Sequence, residues 1–560
     1  MKTSKIKKLC AVVMAATLAM STLVGCGASK NVGAGKTANI QEITFNLGAD
    51  PKTMDPALNQ AVDAGTLISN CFDGLYKLDE NGKPQPAVAE SYDLSEDKTE
   101  YTFHLRSDAK WTNGNPVKAS DFEYAWKRVL NPETAAEYAY QMMYLKGAKE
   151  YNAAKGTPEE IKAKEDEVGV KAIDDKTLKV TLIAPCPYFL DLTAFPCYFP
   201  VDQSVVEGNP NWTNDPKTYV SNGAFKLTDY KIKDGCTLEK NDNYYNKDQV
   251  TLDKLNVKFA TQDTSSWANL KTGQFDVTDL VPLSEIQSGV KEGLVTIHPQ
   301  IGTYFYSVNV SEKAKDVNPE AAKALSDARV RKALNLAIDR VSIVENVTKG
   351  EQTPATAFVS TGIKDENGNE FAGKEYFPAK GDVEQAKKLL AEAGYPDGQG
   401  FPSLVLLFNP ESGHGNMAQA IQDMWKNNLG INVELQSQEW KVFQQTRNNK
   451  QYQIARDGWV GDYSDPMTFL DMLEKVSGQN NCGYASDKFD ALVDAAKVET
   501  DTNKRLELLH QAEDQLMEDM PVIPIYYYTK AVGMNSNVKG LRVTNLGFYF
   551  FDKVTNEKTK

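Results

Sequence analysis

Four histidines and seven cysteines are the first places to look for bond-making chemistry in these 560 residues. His104, His298, His414 and His510 are scattered, with no His-Glu-x-x-His and no cysteine–histidine pair at an informative spacing. The cysteines are irregularly spaced and contain no Cys-x-x-Cys, so neither a zinc ligand set nor a dense disulfide framework is implied. Cys186 and Cys197 either pair or sit as small buried thiols. Gly33-Ala34-Gly35-Lys36-Thr37 ends like a phosphate loop, but Lys30 stands where its first glycine should be. Asp365-Glu366-Asn367-Gly368-Asn369 has its glycine two places early for a calcium loop. There is no Gly-x-Ser-x-Gly, and with 76 acidic residues, carboxylate pairs are what a solvated surface produces. No catalytic residue, metal site or cofactor is expected.

Composition narrows the partners. The chain is 41% hydrophobic and 25% charged, holds 25 Tyr, 22 Phe and 7 Trp, and carries a formal charge of -14. That aromatic content supports packed cores rather than disorder, and the acidity argues against nucleic acid as a partner. At roughly 100–200 residues per domain, the length predicts about two to four domains. Residues 1–25 read as a signal peptide. Lys2, Lys5, Lys7 and Lys8 precede an apolar stretch, Leu9 to Met20, that is too short to span a bilayer comfortably. Leu23-Val24-Gly25-Cys26 resembles the bacterial lipobox, whose cysteine thiol takes the lipid. Lipidation of Cys26 is therefore expected, against the alternatives of a plain secretion signal or a signal anchor. Residues 26–41 then form the lipidated cysteine and a small, polar, flexible tether. Cleavage would remove four lysines and no acid, moving the net charge from -14 to -18. The expected location is the extracytoplasmic face of the bacterial cell membrane, lipid-anchored rather than embedded.

Elements of both kinds must position whatever site exists. Thr99 to Leu105 alternates with period two and predicts a half-buried strand, and Ser120-Asp121-Phe122-Glu123 reads as a capping box opening a helix. Phe122, Ala125, Trp126, Val129 and Leu130 line one face of that helix. Val330, Ala333, Leu334, Ala337 and Ile338 repeat the helical spacing. A further helix begins near Asp382 and stops at Gly394 before Pro396. Leu506, Leu509, Ala512 and Leu516 mark a late helix, followed by a strand from Pro521 to Tyr528 with a proline-stiffened entry. The fold class is mixed α/β.

Read in order, several blocks resemble a bacterial family. They are Pro86 to Tyr92, Tyr101 to Arg106, Trp111-Thr112-Asn113-Gly114-Asn115-Pro116-Val117 with Asp121-Phe122, Gly223 to Leu227, Glu239 to Tyr245, and Asp327 to Leu334. Together they are similar to the extracellular solute-binding proteins of family 5, which feed peptide ABC importers. The likeness covers about residues 42–550, and the stretch from Gly394 to Tyr528 resembles the oligopeptide-binding branch. The resemblance implies a periplasmic-binding-protein-like two-lobed clamp with an extra domain and a hinge between the lobes. Its parts would be 42–72 (domain I, first part), 73–199 (domain II), 200–302 (domain I, second part), 303–529 (domain III) and 530–560 (domain I, third part). It implies a monomeric receptor that engulfs short extended peptides and delivers them to membrane-embedded permease subunits with cytoplasmic ATPases. A narrower receptor of the same family, for cell-wall or signalling peptides, is one alternative. An extracellular enzyme or folding factor on this scaffold is the alternative of another class.

The constant parts of a peptide are its α-ammonium, its amides and its carboxylate. A receptor indifferent to sequence should grip these and leave side chains in roomy, wet pockets. By resemblance Asp462 is the ammonium anchor, since a buried ammonium needs a carboxylate. Gly458 admits close backbone approach, and Val460 sits where ladder bonds to an extended peptide are expected. Arg456, Arg447 and His414 match basic positions for the carboxylate end at graded distances; a structural salt bridge is the alternative reading of each. Trp440 and Trp459 match pocket walls, Asn409 and Tyr528 match lining residues, and Tyr138 corresponds to a pocket tyrosine. Gln60 and Val62 lie in the pocket segment Asp55 to Val62. Gln60 replaces an acid there, and Gln300 replaces an aromatic residue, which puts a preference for basic second residues in doubt.

Overall fold

The structure, a computed structural model, describes residues 40–79, 82–364 and 369–559. The expected signal peptide and Cys26 lie outside the described residues, as does all but the end of the tether. From the described start the chain runs through β1 (Glu42–Asn46) and α1 (Val62–Cys71) into β2 (Ala89–Leu94) and β3 (Glu100–Leu105). After α2 (Ala119–Leu130) come β4 (Val170–Ala172) and β5 (Thr177–Thr181), then β6 (Phe225–Lys231), β7 (Gly235–Lys240), β8 (Lys254–Lys258) and β9 (Val277–Thr278). The long β10 (Val295–Val308) leads to α3 (Ala328–Leu336) and α4 (Val383–Glu392). There follow β11 (Leu404–Phe408), α5 (His414–Leu429), β12 (Val433–Ser437), α6 (Trp440–Asn448), β13 (Ile454–Val460), α7 (Thr502–Asp519) and β14 (Val522–Met534).

Two sheets organise these elements. The larger has the order β12-β11-β13-β10-β14-β9-β1-β8-β7-β6, with the short strand Thr353–Pro354 also paired to β14. The smaller, antiparallel, has the order β2-β3-β5-β4. Strands β10 and β14 run through the middle of the large sheet and are antiparallel to each other. Their ladder shifts register in two places, the wider between Pro299, paired with Thr529, and Thr303, paired with Tyr527, leaving Gln300, Ile301 and Gly302 opposite Tyr528 alone. A second irregularity lies between Tyr304 and Phe305, where Pro524, which has no N–H to give a ladder, is accommodated.

The periodicities account for the elements. In β3, Tyr101, Phe103 and Leu105 are buried while Glu100, Thr102 and His104 are half-exposed. In α7, Asp501 caps the Lys504 N–H and Leu509, Ala512 and Leu516 are buried. Helix α4 starts after Asp382, whose side chain accepts from the Gln385 N–H, and ends before Gly394, whose φ of +98° continues the chain out of the helix. The start of α2 differs from expectation: its cap is Lys118, two residues before Ser120. Asp121 rather than Glu123 reaches back, accepting from the Lys118 N–H at 2.9 Å and from Trp111 Nε1 at 3.1 Å, while Glu123 binds Lys127 instead. Cys186 and Cys197 do not pair; both are buried free thiols, as are Cys71, Cys236 and Cys482. No helix among the described residues is long and apolar enough to cross a membrane.

Candidate functional site

All thirteen cavity residues expected from sequence line one cavity of about 260 Å³. Strand β13 supplies its floor. It pairs antiparallel with β10, so that Arg456, Gly458 and Val460 fall opposite Tyr306, Tyr304 and Gly302 on alternate, partly exposed positions. Gly458 leaves room for Tyr528: a Cβ at this position would lie 2.1 Å from Tyr528 Oη and force the tyrosine that crosses it to shift. Tyr528 comes from β14, at the one residue facing the ladder break.

Just beyond β13 the chain turns and buries Asp462, which is 6% exposed. Its backbone N–H donates to Thr468 Oγ1 at 3.0 Å. Its carboxylate accepts from Tyr138 Oη at 3.2 Å and from Gln141 Nε2 at 2.5 Å, both on the segment between α2 and β4. Among the described residues no lysine, arginine or histidine pairs with it. Burial pushes the Asp462 carboxyl well above the usual range, the buried Asp471 adds to this, and the bonds from Tyr138 and Gln141 partly offset it. Asp471 is itself raised to about 7, by burial. Trp459 stacks on Tyr138 with ring centroids 6.2 Å apart and 22° between planes.

The three basic residues are not equivalent. Arg456 lies 5.4 Å from the Tyr304 ring and makes no ion pair among the described residues. Burial opposes its charge, but the phenols of Tyr528 and Tyr304 beside it hold the guanidinium above its ordinary range. Arg447 is already committed: it pairs with Asp457 at 2.5 Å, with both residues buried. Asp457 also accepts from Ser307 Oγ and from the Gly458 N–H, each at 2.9 Å. His414, at the start of α5, packs on Tyr304 at 5.5 Å. Burial pushes its imidazole well below its ordinary range, and Arg456 adds to this, so it is neutral at pH 7 and not the cation its sequence position suggests.

Of the remaining expected residues, Trp440 donates through Nε1 to Asp63 at 3.0 Å, Asn409 donates to Glu411 at 2.8 Å, and Gln60 bonds Asn448 at 3.0 Å. Val62 completes the wall at the start of α1. Gln300 does not line the cavity; it packs by Gly547 instead, where a Cβ would approach its amide to 2.7 Å. Sequence reasoning missed Gln141, Asp63, Asp279, Phe195 and Phe548. Gln141 sits in the short helical turn that follows Tyr138 and Asp63 in the first turn of α1, and no local signal marks either as part of the site.

The arrangement can hold a zwitterion. A buried carboxylate and a guanidinium, neither of them in an ion pair among the described residues, share one cavity with aromatic walls.

Comparison with known proteins gives the family. A sequence profile described as bacterial extracellular solute-binding proteins, family 5 Middle, matches residues 83–481. The oligopeptide-binding protein OppA of Bacillus subtilis (strain 168) is 38% identical over 547 residues, covering 96% of each chain. The structure of Haemophilus influenzae OppA in complex with RPPGFSPFR is 31% identical, with a TM-score of 0.82 over 92% of this chain and 99% of that one. The murein tripeptide-binding protein MppA of Escherichia coli gives 0.82 in one structure (30% identical, 93% of this chain and 99% of that one). Its unliganded open form gives 0.61 (31% identical, 93% and 98%). With these likenesses, the separate sheets and the intervening cavity resolve as a two-lobed α/β clamp.

Proposed function

Since the chain belongs to the bacterial extracellular solute-binding proteins, family 5, we propose that it is an extracytoplasmic oligopeptide receptor serving an ABC importer. It encloses short peptides in extended form between its lobes and passes them to membrane-embedded permease subunits driven by cytoplasmic ATPases. The observation that carries this reading is the pairing of unmet charges in one cavity: Asp462 for the α-ammonium and Arg456 for the carboxylate. Taking an ammonium into a buried site is favourable only if a carboxylate meets it, and Asp462 is held ready by Tyr138 and Gln141. The partly exposed positions of Gly458 and Val460 suit ladder bonds to an extended ligand. Arg447 supports the site through Asp457 rather than as a direct partner.

The receptor acts as a clamp of three domains, divided as 42–72, 200–302 and 530–560 for the first, 73–199 for the second and 303–529 for the third. The ladder break at Gln300–Gly302 and Tyr528 supports a hinge at that crossover. The mature chain begins at a lipidated Cys26, works as a monomer and carries out no covalent step. Native mass spectrometry of protein purified without refolding tests the reading. The expected result is a set of co-purifying short peptides, recovered unchanged and stoichiometric with protein. A single cell-wall or signalling peptide would favour the narrower receptor, and turnover of added peptide would overturn the reading altogether.

A further inference from the structure

A second cavity, of about 350 Å³, lies between α3, the segment 374–377 and the end of α7, and shares no residue with the cavity that holds Asp462 and Arg456. Asn335, 1% exposed in the last turn of α3, lines it. The Asn335 amide is fixed at one end, where Oδ1 accepts from Arg340 Nη2 at 2.5 Å. Turning the amide over would set its NH2 group against the guanidinium, so Nδ2 stays a donor, and among the described residues it has no acceptor. A buried donor left unmet is costly, and a ligand oxygen in the cavity would relieve it.

The charge behind that donor is positive. At the rim, Lys332 and Lys374 are matched by Glu518 at 2.6 Å and Asp514 at 2.5 Å. Arg340, fully buried, makes no ion pair among the described residues; besides Asn335 it donates to the carbonyls of Ile338 and Pro524. Burial pulls its guanidinium down to about 9, which leaves it charged at pH 7. Arg331, four residues before Asn335 on α3, is also buried and donates only to carbonyls, those of Leu325, Ser326, Asp519 and Met520. The acids beside these two guanidinium groups face other donors: Asp327 binds Arg329, Asp339 the Ser342 N–H, and Asp519 accepts from Tyr484 Oη and Gln515 Nε2. Phe377, on which Arg340 packs at 4.3 Å, and Met517 and Met520 give the cavity a buried apolar wall.

An unmet donor backed by two buried cations, beside an apolar wall, suits an oxyanion carried on a compact apolar body. We propose that this cavity is a second binding site, taking a small carboxylate with an aromatic or aliphatic body. One carboxylate oxygen accepts from Asn335 Nδ2. Lys332, three residues earlier on the same face of α3, gives up its exposed and therefore weak pair with Glu518 to meet the other. The body packs on Phe377 and the two methionines.

Ligand-detected NMR titration of phenylacetate into protein saturated with trialanine tests the site. Phenylacetate should bind about tenfold or more tightly than phenylacetamide, which lacks the charge, and than inorganic phosphate, which lacks the body. Asn335→Asp keeps an acceptor for Arg340 and removes the donor, so phenylacetate affinity should fall about tenfold or more while trialanine affinity is unchanged. No binding of phenylacetate to the wild type overturns the proposal, as does phenylacetamide or phosphate binding as tightly; neither result needs a variant to fold. Displacement of phenylacetate by trialanine, or an affinity that survives Asn335→Asp, overturns it too. If that variant does not fold, Lys332→Gln at the rim should weaken phenylacetate about threefold or more, and unchanged binding overturns the proposal. Failure of trialanine itself to bind counts against the receptor reading above and not against this cavity, because the phenylacetamide comparison and Asn335→Asp stand without it.

Discussion

Replacing Asp462 by asparagine keeps the volume at the end of β13 and removes one charge. A ligand ammonium that met a carboxylate 6% exposed would then lie buried against a neutral amide. Truncating one partner of a buried, hydrogen-bonded charge pair costs about 2–5 kcal/mol. At 1.4 kcal/mol per decade that is a loss of roughly thirty- to several-thousand-fold in affinity. Calorimetry with trialanine and N-acetyl-trialanine isolates the effect, because acetylation deletes the same charge from the other side. In the wild type acetylation should cost a comparable factor, whereas in Asp462→Asn the two peptides should bind within a few-fold of each other. The pH dependence has a defined sign. Burial raises the Asp462 carboxyl, so the free protein protonates it at low pH and binding must remove that proton. Affinity should therefore climb with pH through the raised range, then fall where the ligand's own α-amino group titrates, near about 8. Acetylated peptide binding as tightly as free peptide, or a loss under about tenfold in Asp462→Asn, would refute the anchor.

Four further outcomes follow, the first three of which separate contact from support. Arg456→Gln should abolish any preference for free over C-amidated peptides, measured by calorimetry. Arg447→Met should instead leave Asp457, 3% exposed, without its partner and cost about 3–5 kcal/mol in urea unfolding. Gly458→Ala forces a methyl to within 2.1 Å of Tyr528 Oη, so a thermal melt should show a loss of about 1–3 kcal/mol, partly restored by adding Tyr528→Phe. Glu513, 1% exposed, accepts the Phe358 and Val359 N–H groups at 3.0 and 2.8 Å, and burial raises its carboxyl to about 7. The folded chain thus holds a proton that the unfolded chain releases between about pH 4.5 and 7, and stability falls as pH rises through that window. Glu513→Gln should gain about 1–3 kcal/mol at pH 8 and almost nothing at pH 4.5, in urea titrations at the two pH values.

Much of this site was legible because its parts are contiguous. Arg456, Gly458, Val460 and Asp462 stand in one short run, and period-two alternation puts the first three on one face. Residues whose role arises only when distant segments meet were not legible in the same way. Nothing local marks Gln141 as a donor to Asp462, and Asp63 reads as an ordinary acid in the first turn of a helix. Protonation was beyond the sequence too: His414 looks basic until burial beside Arg456 makes it neutral. At the fold level, α4 announced both ends through Asp382 and Gly394, and α7 announced its buried face through spacing. The start of α2 was misplaced because two acids, Asp121 and Glu123, competed for the same capping role.

The donors to Asp462 come from 324 and 321 residues away along the chain. A recombinant that exchanges the C-terminal half between relatives would carry the carboxylate and leave behind the tyrosine and glutamine that orient it. The ammonium socket is therefore not a transplantable cassette, and a chimera keeps it only when the cut lets residues 138–141 and 462 travel together. In a library of such hybrids, inheritance of that pair would be a sharper filter for retained binding than overall identity.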